Sequence, residues 1–325
     1  MTFEANPTRK PETESQYRAR ADNLVAKSRR ELKIPPNEPL DHRQFAGWLI
    51  SNKPKWMPAT WRQNKAASLF LLESDGTSKT AVDAAELIRM TDGTGCASKS
   101  KKTSAGKQKK FPLSDYKSIY QWMENHPRRW QADTLRWLCA GLLTGLRPAE
   151  WATATYLFNI EHGEWCLLVD NAKNSNGRAH GDRRTILLGG LTDDERETIR
   201  QHTERANAWY QAGQYRKFFS GCAQYLSAAS RTLWPNRKSH VSLYSLRHQF
   251  TADAKASGLT RHEIGALMGH GSDLTAGIHY GRTASGREMV RVRAVTAEVE
   301  AVRKMSLLKA QRKVEVPVPK PVLNA

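Results

Sequence analysis

Three short segments hold residues whose types and spacing can do chemistry: TGLRPAEW (144–151), SLYSLRHQF (242–250) and LMGHGSDLTAGIHYGR (267–282). Arg147 follows the Thr144-Gly145 stop of one helical pattern, and Pro148 is placed to open the next helix. A guanidinium beside a helix N-terminus offers forked donors and a positive dipole end, which suits a phosphate. Arg247 comes 100 residues later, near the start of a second helix. Two arginines converging on one phosphodiester can neutralise the added charge of a pentacovalent transition state. Thr260 and Glu263 have capping-box spacing, so a helix is expected over 261–268. Gly269 ends it, His270 projects from the turn, and Tyr280 follows ten residues later. Singly these features are ordinary, since an arginine after a turn is commonly a surface charge. Their order and spacing are what make them specific.

The composition fits a polyanionic partner. The 325 residues carry 51 Lys and Arg against 32 Asp and Glu, a net charge of +19. The excess is shared by both halves of the chain, which points to nucleic acid gripped from two sides. One concentration stands out: Lys99, Lys101, Lys102, Lys107, Lys109 and Lys110 occur with Ser, Thr and Gly between them and no acid. It reads as a linker that also neutralises phosphates. No stretch has the apolar length of a membrane span or a signal peptide, so a soluble cytoplasmic protein is expected. Cys96, Cys139, Cys166 and Cys222 form no C-x-x-C pair, which argues against a zinc ribbon or disulfide scaffold. No cluster of acids or histidines has metal-ligand spacing, and no cofactor or metal is expected.

The positioning elements are expected to be mainly helical. Residues 1–12 read as disordered and 13–92 as a small helical domain, with Asp41 and Gln44 opening a helix to about Asn52. Trp48, Trp56 and Trp61 read as its core. Residues 93–110 form the linker and 111–313 a second domain, with a flexible tail over 314–325. In the second domain Ser114 can cap a helix to about Asn125, and Leu135, Leu138, Leu142 and Leu146 recur at helical spacing. Residues 164–170 and 183–189 read as two strands joined through Asn176-Gly177, giving a hairpin. Thr192 and Glu195 form another capping box, and 206–233 read as helical. Met289, Val292, Val295, Val299, Val302 and Met305 recur at three- and four-residue steps, so 287–313 read as a final helical segment. The fold class is therefore α+β, mainly α with a small β-hairpin or sheet.

These segments resemble the tyrosine recombinase (phage integrase) family. TGLRPAE matches the first arginine box, Y-S-L-R-H-Q-F the second, LMGHGS the Leu-Gly-His box and HYGR the nucleophile segment. The resemblance covers about residues 111–285, and the helical domain resembles the family's core-binding (SAM-like) domain more loosely. It implies that Tyr280 attacks a DNA phosphodiester and forms a 3′-phosphotyrosine, which conserves the bond energy for rejoining. It implies that Arg147, Arg247 and His270 hold the non-bridging oxygens. It implies that Lys173, in the expected hairpin, protonates the departing 5′-oxygen, although a plain hairpin lysine is the bland reading. Arg183 and Arg184 are expected to touch DNA backbone or solvent.

Two departures stand out. The family has His three residues before the second arginine, and this chain has Tyr244, a poor base at neutral pH but a phosphate hydrogen-bond donor. Tyr280 is one residue further from His270 than in many members, which leaves His279 as the residue of a one-step slip.

The function so implied is site-specific recombination of double-stranded DNA sites, integrating or excising a mobile genetic element in a bacterial cytoplasm. The expected partners are a homotetramer on synapsed DNA, a monomer or weak oligomer when free, and accessory DNA-bending or directionality proteins, with no membrane. The final helical segment would dock on its own domain or on a neighbouring protomer. The alternatives are a non-catalytic DNA-binding accessory protein on a recombinase fold, and a type IB topoisomerase-like enzyme that relaxes supercoils.

Overall fold

The structure is a computed structural model and describes residues 11–35, 37–39, 41–74, 78–97, 108–171, 179–274 and 283–303. The chain divides into two compact units, Met1–Lys102 and Thr103–Ala325. No helix among the described residues is long and apolar enough to cross a membrane.

The first unit is built from helices α1 (Pro11–Leu32), α2 (His42–Ser51), α3 (Pro58–Ser74) and α4 (Lys79–Met90). Asp41 caps α2 as expected, its side chain accepting from the amides of Arg43 and Gln44. Phe45, Trp48, Leu49, Trp61, Leu72 and Ile88 form the core, and Trp56 packs against it. Trp48 is buried yet satisfied, its indole donating to Glu31 at 2.7 Å. α1 begins two residues before the expected helical domain. Within the expected linker, Ala97 donates to the Trp56 carbonyl at 2.9 Å, and Gln108 to that of His240 at 3.0 Å. Most of its lysines, the 1–10 segment and the 314–325 tail lie outside the described residues.

In the second unit α5 (Leu113–Asn125) and α6 (Gln131–Thr144) precede a four-stranded sheet. The strands are β1 (Thr155–Asn159), β2 (Glu164–Asp170), β3 (Arg183–Leu187) and β4 (Arg293–Ala294), in that order and antiparallel throughout. The β2–β3 pair is the expected hairpin, with Val169 opposite Arg184. β1 is an addition, held to β2 by the stacking of Tyr156 on Trp165 at 5.0 Å. Then come α7 (Asp193–Gln211), α8 (Tyr215–Leu233), α9 (Leu243–Ala256), α10 (Arg261–Leu267) and α11 (Thr296–Ala301). Capping boxes at Thr192 and Thr260 start α7 and α10 as their spacing predicted. The helical tendency expected over 206–233 is met by the end of α7 and by α8, which are separated at Gly213 with its φ of 68°.

Residues 287–295 are not helical. Val290, Val292 and Ala294 alternate with Arg291 and Arg293, and this two-residue period wins over the three- and four-residue spacing. Val292 is 2 % exposed in the core, while β4 closes the sheet beside β3. Only the six residues of α11 are helical within the described part of that segment.

The core joins α6, α9 and the sheet around Trp137, Leu138, Trp151, Leu167, Ile186, Leu246 and Phe250. α6 and α9 approach so closely that a Cβ on Gly141 would lie 2.6 Å from the Leu246 side chain. Gly145 then ends α6 with φ of 68°, and a Cβ there would fall 2.3 Å from the Phe250 ring. This turn carries Arg147 back over α9, towards Arg247. Gly145→Ala would combine a left-handed alanine with overpacking on a buried ring, and is expected to destabilise the unit by about 2–4 kcal/mol. A urea unfolding midpoint unchanged by this substitution would contradict that account.

Candidate active site

The site is organised by a residue the sequence reading passed over. Glu150 is 1 % exposed, on a single 3-10 turn (Glu150–Ala152). Its Oε2 accepts from the Arg147 amide at 2.7 Å, and its Oε1 from Arg147 Nη1 at 2.5 Å. Arg184 Nη2 donates to Oε2 at 2.7 Å, and Arg247 Nη1 stands 3.7 Å from the same oxygen. One carboxylate thus gathers three guanidiniums. Its burial disfavours the charge, but Arg184, Arg247 and Arg147 outweigh that and hold the carboxyl far below its usual range. The expected α-helix after Pro148 is only this short turn, so Arg147 is held by the Glu150 carboxylate and not by a helix dipole.

Arg247, on α9, is fully buried. Its guanidinium donates to the carbonyls of Gly145 at 2.8 Å and Met268 at 2.5 Å. Its Nη2 lies 3.3 Å from His270 Nε2. His270 is 2 % exposed, in the turn after α10. Burial first, then the charges of Arg247, Arg147 and Arg184, push its ring down to about 2. The imidazole is therefore neutral, Nε2 is the acceptor facing Arg247, and the proton is left on Nδ1. The geometry so brings Arg147, Arg247 and His270 together.

Arg184 corrects an expectation. It was expected at DNA or in solvent, and it is fully buried. Its Nε donates to the Leu267 carbonyl at 2.9 Å, and its Nη1 to Asn171 Oδ1 at 2.5 Å. Asn171 in turn donates to the Gly181 carbonyl at 2.8 Å, and its amide to the Asp182 carbonyl at 2.7 Å. These bonds root the β2–β3 hairpin against the His270 turn. Gly269 makes that contact possible: its φ is 61°, and a Cβ would lie 2.2 Å from Asn171 Oδ1. His180 completes the hairpin root, its side chain 2 % exposed and 3.9 Å from Glu298. Arg183 remains at the surface, paired with Asp170 at 2.8 Å. The strand alternation of 183–187 could have separated the two arginines, since Arg184 shares its face with buried Ile186.

Tyr244 is half-buried and packs edge-on against His248, with ring centroids 5.5 Å apart. Lys173, His279 and Tyr280 lie outside the described residues. Among the described residues no group of three or more His, Cys, Asp or Glu is gathered as a metal site. All four cysteines are free, and burial raises Cys139 to about 11 and Cys222 to about 12, so neither is a thiolate nucleophile near neutrality.

The cluster's charge balance sets what it can do. Among the described residues, three guanidiniums share one fully buried carboxylate beside a neutral His270, so positive charge predominates in the cluster. A phosphodiester and the second negative charge of its transition state are what such a cluster can stabilise.

A second buried imidazole gives a stability prediction. His202 is enclosed by Trp137 and Trp151, with ring centroids at 5.0 and 4.6 Å, and burial pushes it down to about 3. Below its unfolded pKa of about 6.5, the unfolded chain takes up a proton that the folded chain refuses. Stability is then lost as pH falls from about 6.5 towards 3. His202 alone is expected to cost about 2 kcal/mol between pH 7 and pH 5. Urea unfolding of wild type and His202→Phe at both pH values checks this, the variant losing correspondingly less.

No protein-family model matches the sequence, and no curated protein sequence matches it. Solved structures do. A lambda integrase dimer bound to a COC′ core site matches with a TM-score of 0.50 at 14 % identity, over 82 % of this chain and 90 % of that one. A second lambda integrase dimer on the same kind of site gives 0.49 at 15 % identity, over 86 % and 73 %. The XerH site-specific recombinase on a palindromic difH substrate gives 0.45 at 13 % identity, over 94 % and 80 %. At such identities the likeness concerns the fold, and the fold of this chain is that of the tyrosine recombinases.

Proposed function

We propose that this protein is a site-specific recombinase of double-stranded DNA that works through a covalent tyrosyl intermediate. The observation that carries the proposal is the convergence of Arg147, Arg247 and His270, from three distant segments, on one partly neutralised arginine cluster. A phosphodiester entering there meets the excess positive charge and the His270 turn together. Tyr280 Oη releases its proton to water and attacks the phosphorus, and the P–O5′ bond breaks. The product is a 3′-phosphotyrosine and a free 5′-hydroxyl. Lys173 supplies the proton to the departing oxygen, since an alkoxide is a poor leaving group. Lys173 follows Asn171 by two residues, and Asn171 is bound to Arg184 at the cluster, which supports this role. Attack by a 5′-hydroxyl from a second duplex reverses the chemistry and completes strand exchange. No ATP is needed, because the phosphoryl bond is kept.

Strand exchange needs two sites, each cut on both strands, so four protomers assemble on the DNA in this reading. The distributed +19 charge supplies salt-sensitive duplex binding, and the lambda integrase of the comparison is bound to a DNA core site. The biological role we propose is integration or excision of a mobile element in a bacterial cytoplasm, with accessory DNA-bending proteins as partners.

The test is a nicked suicide duplex containing the sequence that flanks the gene, run on a denaturing gel. Trapped protein–DNA adduct is expected from the wild type. Arg147→Ala is expected to lose cleavage while keeping most DNA binding. DNA binding without any adduct, on every flanking sequence tried, would overturn the proposal.

A further inference from the structure

Arg247 sits on α9 between two residues that hold other parts of the chain. Ser245, two residues before it, donates through Oγ to the Gln108 carbonyl at 2.5 Å. Gln249, two residues after it, is 1 % exposed and uses its whole amide. Its Oε1 accepts the Phe111 amide at 2.7 Å. Its Nε2 donates to Asp253 Oδ1 at 2.7 Å and to the Ser285 carbonyl at 2.8 Å. Residues 108–111 are where the chain arriving from the first unit enters the second. Ser285 stands five residues after Tyr280.

The far end of this relay is itself tightly held. Asp253 accepts from the Arg287 amide at 2.8 Å, and from its guanidinium at 2.7 and 3.2 Å. Between those anchors Gly286 lies against α9, where a Cβ would meet the Ala252 carbonyl at 2.0 Å. The chain after the tyrosine segment is therefore fixed to the helix that carries Arg247 by backbone, amide and ion pair together.

The two ends cannot be set independently. The Gln249 amide has one acceptor oxygen and one donor nitrogen. With Oε1 turned to Phe111, Nε2 must face Asp253 and Ser285, and flipping the amide breaks all three bonds. In a buried site each broken bond leaves an unsatisfied polar group, costing about 1–3 kcal/mol.

We infer that Gln249 is a positioning residue that ties the docked end of the interdomain chain to the register of the segment following Tyr280. Its consequence for cleavage rests on the proposed recombinase function. Docking of residues 108–111 orients the amide, and the oriented amide holds Ser285, so chain entry and the anchor that follows the tyrosine segment are set on one helix. By linkage the coupling runs both ways.

Two readouts test this on the full-length protein. The first is amide hydrogen exchange without DNA. Arg287→Ala removes a side chain that does not bond Phe111, yet it is expected to speed Phe111 amide exchange roughly tenfold or more. Arg293→Ala, which breaks only the surface pair with Glu164, serves as the control and leaves that amide unchanged. The second is single-turnover cleavage of nicked suicide DNA at saturating concentration. Gln249→Met, which keeps length but not the amide, is expected to slow cleavage roughly tenfold or more, with the DNA Kd within about threefold. Should Gln249→Met not fold, Arg287→Ala serves for both readouts. An unchanged Phe111 amide in Arg287→Ala overturns the coupling, and wild-type cleavage by a folded relay variant overturns the positioning role. If the wild type itself forms no adduct, it is the recombinase reading that fails, and the exchange result still judges the relay.

Discussion

Tyr280→Phe is expected to give no covalent protein–DNA adduct, a loss on the order of 10⁴-fold or more, while binding the same DNA. The phenol oxygen is the only atom removed, and it is the atom that would hold the phosphate. Phenylalanine keeps the ring, so folding and DNA affinity should not change, and a gel-shift titration run beside the denaturing gel checks this. Two neighbours make the test specific. His279→Phe is expected to keep the adduct, because a one-residue slip would put an imidazole where a stable phosphodiester needs a phenolate. Tyr244→Phe is expected to slow cleavage by about 10- to 100-fold, the worth of one hydrogen bond to phosphate. An adduct that survives in Tyr280→Phe and disappears in His279→Phe would move the nucleophile one residue. An adduct lost only in Tyr244→Phe would move it to α9.

Part of the framework around this cluster was legible in the sequence because its features are local. The capping boxes at Thr192 and Thr260 need only four residues to declare themselves, and both start helices as read. Gly145 and Gly269 end helices for the same local reason, a positive φ. What escaped was non-local. Alternation with Ile186 marks Arg184 rather than Arg183 as the inward arginine, but the partners that bury it, Glu150 and Leu267, lie 34 and 83 residues away. Glu150 looks like the cap of a short turn, and its meaning comes from arginines 34 and 97 residues away. The segment after Arg287 carried two competing periods. A helix there would have lost the burial of Val292 and the pairing of β4 with β3, so tertiary packing settled what spacing left open.

Glu150→Gln is expected to destabilise the second unit by about 3–5 kcal/mol, because it removes the buried carboxylate that three guanidiniums share. For a unit of this size that is a fall of roughly 10 °C in Tm. The glutamine keeps the shape, so the loss reads the charge and not a cavity. Its amide also replaces one acceptor oxygen by an NH2 group, and in either orientation that group faces donors from Arg147 and Arg184. An anion should repair part of the damage. Added sulfate is expected to raise the Tm of Glu150→Gln more than that of wild type, since it restores the missing negative charge beside the same donors. The opposite substitution separates charge from position. Arg184→Leu removes one positive charge and the bond to Asn171 together, so it should loosen the hairpin root as well as the cluster, and sulfate should not rescue it. If Glu150→Gln melts with wild type and gains nothing from sulfate, the arginines have other counter-charges and the carboxylate is not their hub. If it melts early and sulfate restores it, the free site is already an anion site with its charge held in reserve. A DNA phosphate would then bind because the fold gathers more positive charge than Glu150 can neutralise.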